Sequence, residues 1–297
     1  MSVLSVGLRV FALTIVLFVC IAAASGIVGL ANAQPANPDS SAALKLFLVC
    51  VLEAAMMANL ILRSRWTGWR LVAAVFVVFY AVTTFMPQIE SAVFLTHLPP
   101  GTVPRLFLMG VLIAAPFSLF AVAFLGKWKA RPETLESTSR LDLPAGEWVR
   151  KLGVIAIAYV ILYFTFGYFI AWRNPALREY YGGVDNGFFP QMQSVLRDTP
   201  WLAPFQILRA ICWAGIAGLV IKMLKGGWLE AAITIALLFS VLMNAQLLLP
   251  NPYMPATVRM SHFVETASSN FIFGMLIGWL LMKDKGDSKL ALAQDAA

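Results

Sequence analysis

Apolar residues form eight long, nearly unbroken runs along the chain, separated by shorter polar, basic or Pro- and Gly-containing segments. A helix needs about 20 apolar residues to cross the hydrocarbon core of a bilayer. Unbroken runs of this length are typical of membrane helices, not of barrel strands. The pattern therefore predicts transmembrane helices at residues 9–30, 43–62, 69–88, 104–126, 150–172, 203–224, 228–249 and 261–282.

The composition supports this interpretation. Hydrophobic residues make up 60% of the 297 residues and charged residues 12%. A soluble domain of this size needs polar residues over most of its surface, so this composition excludes one. We expect an all-α integral membrane protein with eight transmembrane helices.

The first run resembles a signal peptide, because Arg9 precedes it and Ala31-Asn32-Ala33 follows it like a cleavage site. Cleavage after Ala33 would leave seven helices. We expect the helix to be retained, since its apolar run is longer than that of a usual signal peptide. The three cysteines lie inside predicted spans as small apolar residues and indicate no disulfide framework.

Basic residues are concentrated on one side of the predicted topology. If the N-terminus is cytoplasmic, 15 of the 22 lysines and arginines fall on the cytoplasmic side, and both termini lie there. The net charge of +7 is then explained by topology and by anionic lipid headgroups, not by nucleic acid. The compact, basic loops are typical of a bacterial inner membrane. The residues concerned are Arg9, Arg63, Arg65, Arg70, Lys127, Lys129, Arg131, Arg140, Arg150, Lys151, Lys222, Lys225, Lys283, Lys285 and Lys289.

The eight runs also suggest two sets of four, because loop punctuation recurs in the same order. Gly68-Trp69 and Gly227-Trp228 begin the third and seventh runs. The pattern predicts a first half at 1–130, a linker at 131–149, a second half at 150–282 and a tail at 283–297. Four spans per half would make the halves parallel. Two unrelated four-helix sets with similar loops remain the alternative. The further matching positions are Gln88 with Gln246, and Thr102, Val103 and Arg105 with Thr257, Val258 and Arg259.

The loop at 173–204, predicted to be extracytoplasmic, is long and rich in aromatic residues and glycine. Loops of this length are usually functional or disordered, and the aromatic residues argue against disorder. We expect either a lid or an interfacial element on the bilayer surface. Simple anchoring at the membrane interface explains the same residues equally well.

Ionisable residues inside membrane spans are costly and mark candidate functional sites. The predicted spans contain Glu53, Arg209, His262 and Glu265, and Glu90 lies at the outer end of the third. With the orientation above, all but Glu53 lie towards the extracytoplasmic side, as does Gln246.

The eighth span has the densest group of such residues. His262, Glu265 and Ser269 are spaced i, i+3 and i+7 and therefore share one helix face, which should turn away from lipid. Three explanations compete: Glu265 pairs structurally with Arg209, the face binds a ligand or ion, or it performs acid-base or metal chemistry. In the same helix Gly274 and Gly278 form a small-xxx-small motif that predicts close helix packing with an unspecified partner.

The sequence gives little support for metal or nucleotide chemistry. The chain has two histidines, His97 and His262, which excludes a His-rich zinc site, and the spacing of His262 and Glu265 alone is weak evidence. His97 lies in a predicted loop beside prolines and is expected to be exposed. Ser268 and Ser269 have no nucleophile elbow, and the sequence contains no zinc-protease, P-loop or dinucleotide motif. We assign no metal, and the sequence identifies no cofactor.

The leading hypothesis is a membrane protein that binds a small ligand or ion in an extracytoplasmic-facing cavity, as a transporter or channel subunit. Proton coupling would use Glu53 or Glu265. One alternative is an intramembrane enzyme acting on a lipid or lipid-linked substrate; another is an accessory protein without a small-molecule site. Membrane lipids, the ligand and a second copy of the chain are the partners considered. The predicted ligand-binding residues are Glu90, Arg209, Gln246, His262, Glu265 and Ser269.

Overall fold

The computed structural model describes residues 3–30, 41–95, 98–129, 141–251 and 253–282, and this part is helical without a β-strand. Eight of its helices are long and apolar enough to cross a membrane, which confirms the predicted spans. They are α1 (Val3–Ile27), α2 (Ala42–Arg63), α3 (Gly68–Phe94), α4 (Thr102–Phe124), α5 (Ala145–Ala171), α8 (Leu202–Met223), α9 (Trp228–Leu248) and α10 (Ala256–Met282). Two short helices, α6 (Pro175–Tyr181) and α7 (Phe188–Asp198), lie in the long loop.

Some predictions concern residues outside the ranges that the structure describes. His97, the cleavage-like Ala31-Asn32-Ala33 and the tail from residue 283 lie outside the described residues. The orientation of the termini and the internal repeat stay predictions.

Three of the long helices contain a turn of π-helix, at Ala81–Phe85 in α3, Gly167–Ala171 in α5 and Leu238–Leu242 in α9. A π turn inserts one residue into the helical ladder and shifts the side chains that follow it to a different face. Such turns occur often at functional sites. Hydrophobic periodicity did not predict them, because one extra residue barely alters an apolar run.

The described chain divides into two compact units. The first contains the residues up to 129 together with 241–263, and the second contains 141–240 together with 264–282. Residues 241–263, which the sequence places in the second half, thus group with the first four helices. α10 begins in the first unit and continues in the second.

Basic side chains hold helix ends together in the first unit, where α1 packs on α2 and α4, and α3 packs on α4. Arg9 donates to the Phe124 carbonyl at 2.9 Å, and Lys127 Nζ donates to the Ser64 carbonyl at 2.8 Å. The Lys127 carbonyl in turn accepts from the Gly68 amide at 2.9 Å. The last carbonyls of a helix lack intrahelical donors and carry partial negative charge. Residues predicted to set membrane orientation therefore also cap α2 and α4.

A lysine that donates to a backbone carbonyl near a helix end also joins α5 and α10 in the second unit. The buried Lys151 Nζ donates to the Leu280 carbonyl at 2.6 Å and lies 3.1 Å from the Glu147 carboxylate. Eight residues further along α5, the Tyr159 ring packs on Phe273 with centroids 4.7 Å apart. As the residue number rises in α5, its partner's number falls in α10, so the two helices run antiparallel.

The two glycines of the small-xxx-small motif find their partner in α9. Gly278 packs against Ala232, and Gly274 packs against Ala236, so tightly that neither glycine has room for a Cβ atom. All four residues belong to the second unit. The motif alone did not identify the helix that packs on these glycines, and the structure shows that it is α9.

The long loop is organised around Asp185. Its carboxylate accepts a hydrogen bond from the Tyr168 hydroxyl at 3.0 Å and from the Gly187 amide at 3.4 Å, and it lies 3.3 Å from Arg173 and 3.7 Å from Arg178. The Tyr168 hydrogen bond and then the Gly187 amide, with smaller contributions from the two arginines, hold the pKa of Asp185 below its usual range. This part of the loop is thus tied to the end of α5.

The α7 helix of the loop is amphipathic and has no buried residue. Phe188 stacks on Phe169 at the end of α5, with ring centroids 5.2 Å apart. Phe189 and Leu196, which share one face at i and i+7, are 81% and 61% exposed. An uncovered apolar face beside the end of a membrane helix fits the predicted interfacial element, which stays a prediction.

Candidate functional site

Three polar or amphipathic side chains share one buried face of α8. Gln206, Arg209 and Trp213 are spaced i, i+3 and i+7, and their exposed fractions are 0%, 2% and 0%. Arg209 Nη1 donates to Gln206 Oε1 at 3.0 Å. We call these three residues the donor face.

The donor face carries more N–H groups than the protein satisfies. Nε2 of Gln206 and Nε1 of Trp213 have no hydrogen-bond partner among the residues that the structure describes. Because Arg209 occupies Gln206 Oε1, the Gln206 amide group faces elsewhere with its donors. A buried donor without an acceptor costs about 1–3 kcal/mol, and the hydrocarbon region supplies no water to compensate. A molecule carrying acceptor atoms would remove this cost.

Aromatic rings surround the donor face. The guanidinium carbon of Arg209 lies 5.8 Å from the centroid of the Tyr159 ring and 5.9 Å from that of Phe205. Both separations are within the range of a cation–π interaction. One turn after Arg209 along α8, Trp213 packs on Phe239 of the α9 π turn at a centroid distance of 4.3 Å. The rings stabilise the cation without consuming its hydrogen-bonding capacity.

Glu265 and Ser269 lie along the same α5–α10 contact that positions Tyr159. The Glu265 carboxylate faces Gly167, where an added Cβ would lie 3.6 Å from Oε1. Glu265 and Ser269 are 6% and 8% exposed. Glu265 precedes Phe273, the partner of Tyr159, by eight residues, which is about 12 Å of helix rise. Glu265 therefore lies about two turns along α10 from the level at which α5 meets Arg209, and Ser269 lies between the two levels.

The other predicted residues belong to the first unit. Glu53 is 1% exposed in the middle of α2, and the Gln246 side chain hydrogen-bonds to its carboxyl group. Glu90 and His262 are partly buried. Arg209, Glu265 and Ser269 lie in the second unit. A single site formed by all six predicted ligand-binding residues stays a prediction.

The sequence analysis missed Gln206, Trp213 and Tyr159. Gln206 was recognisable, because it is a polar residue one helical turn before Arg209 inside an apolar run. Trp213 and Tyr159 were not, since aromatic residues in a membrane span are compatible with lipid contact or core packing. Only the contacts show that Trp213 lacks an acceptor and that Tyr159 faces a cation.

The fold and composition define the class of protein: a multi-pass membrane protein made of α-helices. No protein-family model, curated protein or solved structure matches the chain. In the described part, no three or more His, Cys, Asp or Glu side chains are grouped so that they could hold a metal ion.

Proposed function

We propose that this membrane protein binds a small ligand through the donor face, and that the bound group is a carboxylate, phosphate or comparable acceptor. The observation that carries the proposal is the pair of buried N–H donors on Gln206 and Trp213, which lie beside a guanidinium and have no acceptor in the part of the chain that the structure describes. A guanidinium with flanking N–H donors matches the geometry of an oxyanion. Aromatic rings on both sides suit an organic body attached to that anionic group.

Contacts between neighbouring rings connect the long loop with the donor face. Trp201, at the end of the loop, packs on Phe205 with centroids 6.2 Å apart, and Phe205 lies beside Arg209. The ligand therefore enters from the end of α8 that carries the loop, which is the predicted extracytoplasmic side. Helix α7 and the segment held by Asp185 cover this entrance.

Glu265 and Ser269 are the second part of the proposed site. In this proposal Ser269 contacts the ligand body, and Glu265 contributes polar contact nearer the entrance. Transport or channel activity is the role we favour, because a polar binding face inside a membrane bundle gives a solute a route that the lipid denies it.

The test replaces Trp213 by phenylalanine. Trp213→Phe keeps an aromatic ring against Phe239 but removes the N–H group. Without ligand, the variant should be as stable as wild type or more stable, since an unsatisfied donor is gone. Ligand affinity should fall about tenfold, the effect of losing roughly 1.4 kcal/mol of hydrogen bonding. Trp279→Phe, at a position of α10 where the side chain is 39% exposed, is the matched control.

The binding assay is native mass spectrometry of the intact protein released from its own membrane in mild detergent. A stoichiometric adduct that Trp213→Phe loses and Trp279→Phe keeps supports the proposal and gives the ligand's mass. An adduct whose occupancy is the same in wild type and Trp213→Phe places the ligand elsewhere. A protein without an adduct is next titrated with inorganic phosphate and acetate while its thermal stability is followed. No stabilisation by either anion would favour the accessory role.

A further inference from the structure

Glu53 places a carboxyl group at the middle of a membrane helix. It lies eleven residues from the first and ten from the last residue of α2, about 15 Å from either end. The hydrocarbon core is about 30 Å thick. The side chain is 1% exposed. Glu53 therefore lies as deep in the apolar layer as a residue of this helix can.

The described residues around Glu53 bring no compensating positive charge. Its Oε1 atom has no hydrogen-bond partner, and no basic side chain pairs with it among the described residues. The helices α1, α3 and α4 and the end of α9 at Ala245–Leu248 pack on α2, and no charged group from them acts on the carboxyl group within the described part. Among the described residues, the titratable neighbour is Cys50, a turn earlier on the same helix, which carries no positive charge.

A bare carboxylate in this position would be very costly. Even after the protein relaxes, removing an ion from water costs more free energy than one hydrogen bond to a charged group returns. The Gln246 amide alone cannot offset the cost. A metal ion would need several oxygen ligands, and the described residues contain no acidic cluster that provides them. A proton is the remaining counterpart.

We propose that Glu53 is a proton-binding site of the first unit, a neutral carboxylic acid that exchanges its proton through Gln246. The amide suits this role because its carbonyl accepts from the O–H of the acid and its N–H groups donate to the carboxylate. Gln246 is exposed whereas Glu53 is buried, so the amide connects the acid with the surface of the unit. This site is separate from the ligand proposal and does not depend on it.

Infrared spectroscopy of the full-length protein in lipid tests the proposal directly. A protonated carboxyl group has a C=O stretch distinct from that of a carboxylate. At neutral pH ordinary glutamates, with a pKa of about 4.3, are ionised and lack this band. Wild-type protein should show the band, Glu53→Gln should lose it, and the exposed control Glu179→Gln should keep it. Transfer to D₂O should shift the band as the acid exchanges its proton for a deuteron.

Each outcome decides the question. No protonated-carboxyl band at neutral pH, or a band whose intensity is unchanged in Glu53→Gln, overturns the proposal. A band that belongs to Glu53 but does not shift in D₂O shows a sealed structural acid and overturns proton exchange. If Glu53→Gln fails to fold, Gln246→Leu replaces it. That variant keeps the acid but removes its hydrogen-bond partner, so the band should move to higher frequency and its D₂O shift should slow severalfold. An unchanged band in Gln246→Leu contradicts the role of the amide.

Discussion

The close packing of α10 on α9 gives a prediction whose size follows from the structure. A Cβ atom on Gly278 would lie 2.6 Å from Ala232 Cβ and 2.8 Å from Ala232 N, with Ala232 Cα closer still. Carbon atoms pack at about 3.5–4.0 Å. The two helices must therefore separate by about 1 Å to admit one methyl group. Overpacking of this kind costs about 1–3 kcal/mol, so Gly278→Ala should lower the free energy of unfolding by that amount.

The matched control is Gly215→Ala in α8. Gly215 is also an interior helical glycine, but a Cβ atom there would meet nothing within 4 Å. Both substitutions gain similar helix propensity, up to about 1 kcal/mol, so their difference isolates the packing cost. Unfolding titrations with SDS in mixed micelles, followed by circular dichroism, measure both. Equal stability of the two variants would refute the close approach of α10 to α9.

A second substitution tests which atoms collide. Ala232→Gly should partly rescue Gly278→Ala, because it removes the Ala232 Cβ but leaves the backbone Cα and N in place. Gly274→Ala should resist rescue by Ala236→Gly, since the nearest atoms to its new methyl group are backbone atoms of residues 235 and 236. Full rescue in both pairs would mean that side chains, not backbones, limit the approach.

Two further predictions concern polar contacts at helix ends. Lys127→Gln should lower the free energy of unfolding by about 1.5–3 kcal/mol through loss of the charged hydrogen bond to the Ser64 carbonyl, whereas exposed Lys129→Gln should change it little. The same detergent titration compares them, and equal effects would contradict the capping role. Asp185→Asn should expose the loop to limited proteolysis at neutral pH, while Asp198→Asn, which loses contacts only within its own helix, should not. Since the pKa of Asp185 is lowered, its contribution is fully present above the ordinary aspartate pKa of about 3.9 and is lost as the pH falls through the lowered value. Wild-type loop cleavage by an acid protease should therefore rise only in that range; onset at higher pH would contradict the contact.

Helix number and extent were predictable because each span must satisfy its backbone internally and bury about 20 apolar residues, two constraints that are local in sequence. The predicted third span ended at residue 88, but α3 continues to Phe94. That last segment carries Gln88 and Glu90, which are polar enough to end an apolar run while remaining good helix formers. A hydropathy boundary marks where lipid contact ends, not where the helix ends.

The candidate site was predictable only in part, for a different reason. Arg209 and Glu265 stood out because charged residues are rare inside the apolar spans, and Ser269 because its spacing places it on the helix face of Glu265. Whether a buried donor finds a hydrogen-bond acceptor, however, depends on the residues that surround it. The surroundings of Trp213 include residues of other helices, and the periodicity of α8 carries no information about them. Likewise Lys151 and Lys127 are predicted from charge bias to face one side of the membrane, yet their capping of distant helix ends follows only from tertiary contacts.

The two proposals rest on opposite imbalances of hydrogen bonding. Among the described residues of the second unit, Gln206 and Trp213 have donors without acceptors, so the missing group must bring electron pairs. Among those of the first unit, Glu53 has an acceptor atom without a donor, so the missing group must bring a proton. In a membrane interior an unsatisfied donor and an unsatisfied acceptor both cost free energy, because no water is there to bond with them. An apolar chain that served only as a scaffold would be more stable with Phe at position 213 and Leu at position 53. The retention of polar groups there, at a cost to folding, is the physical argument for function.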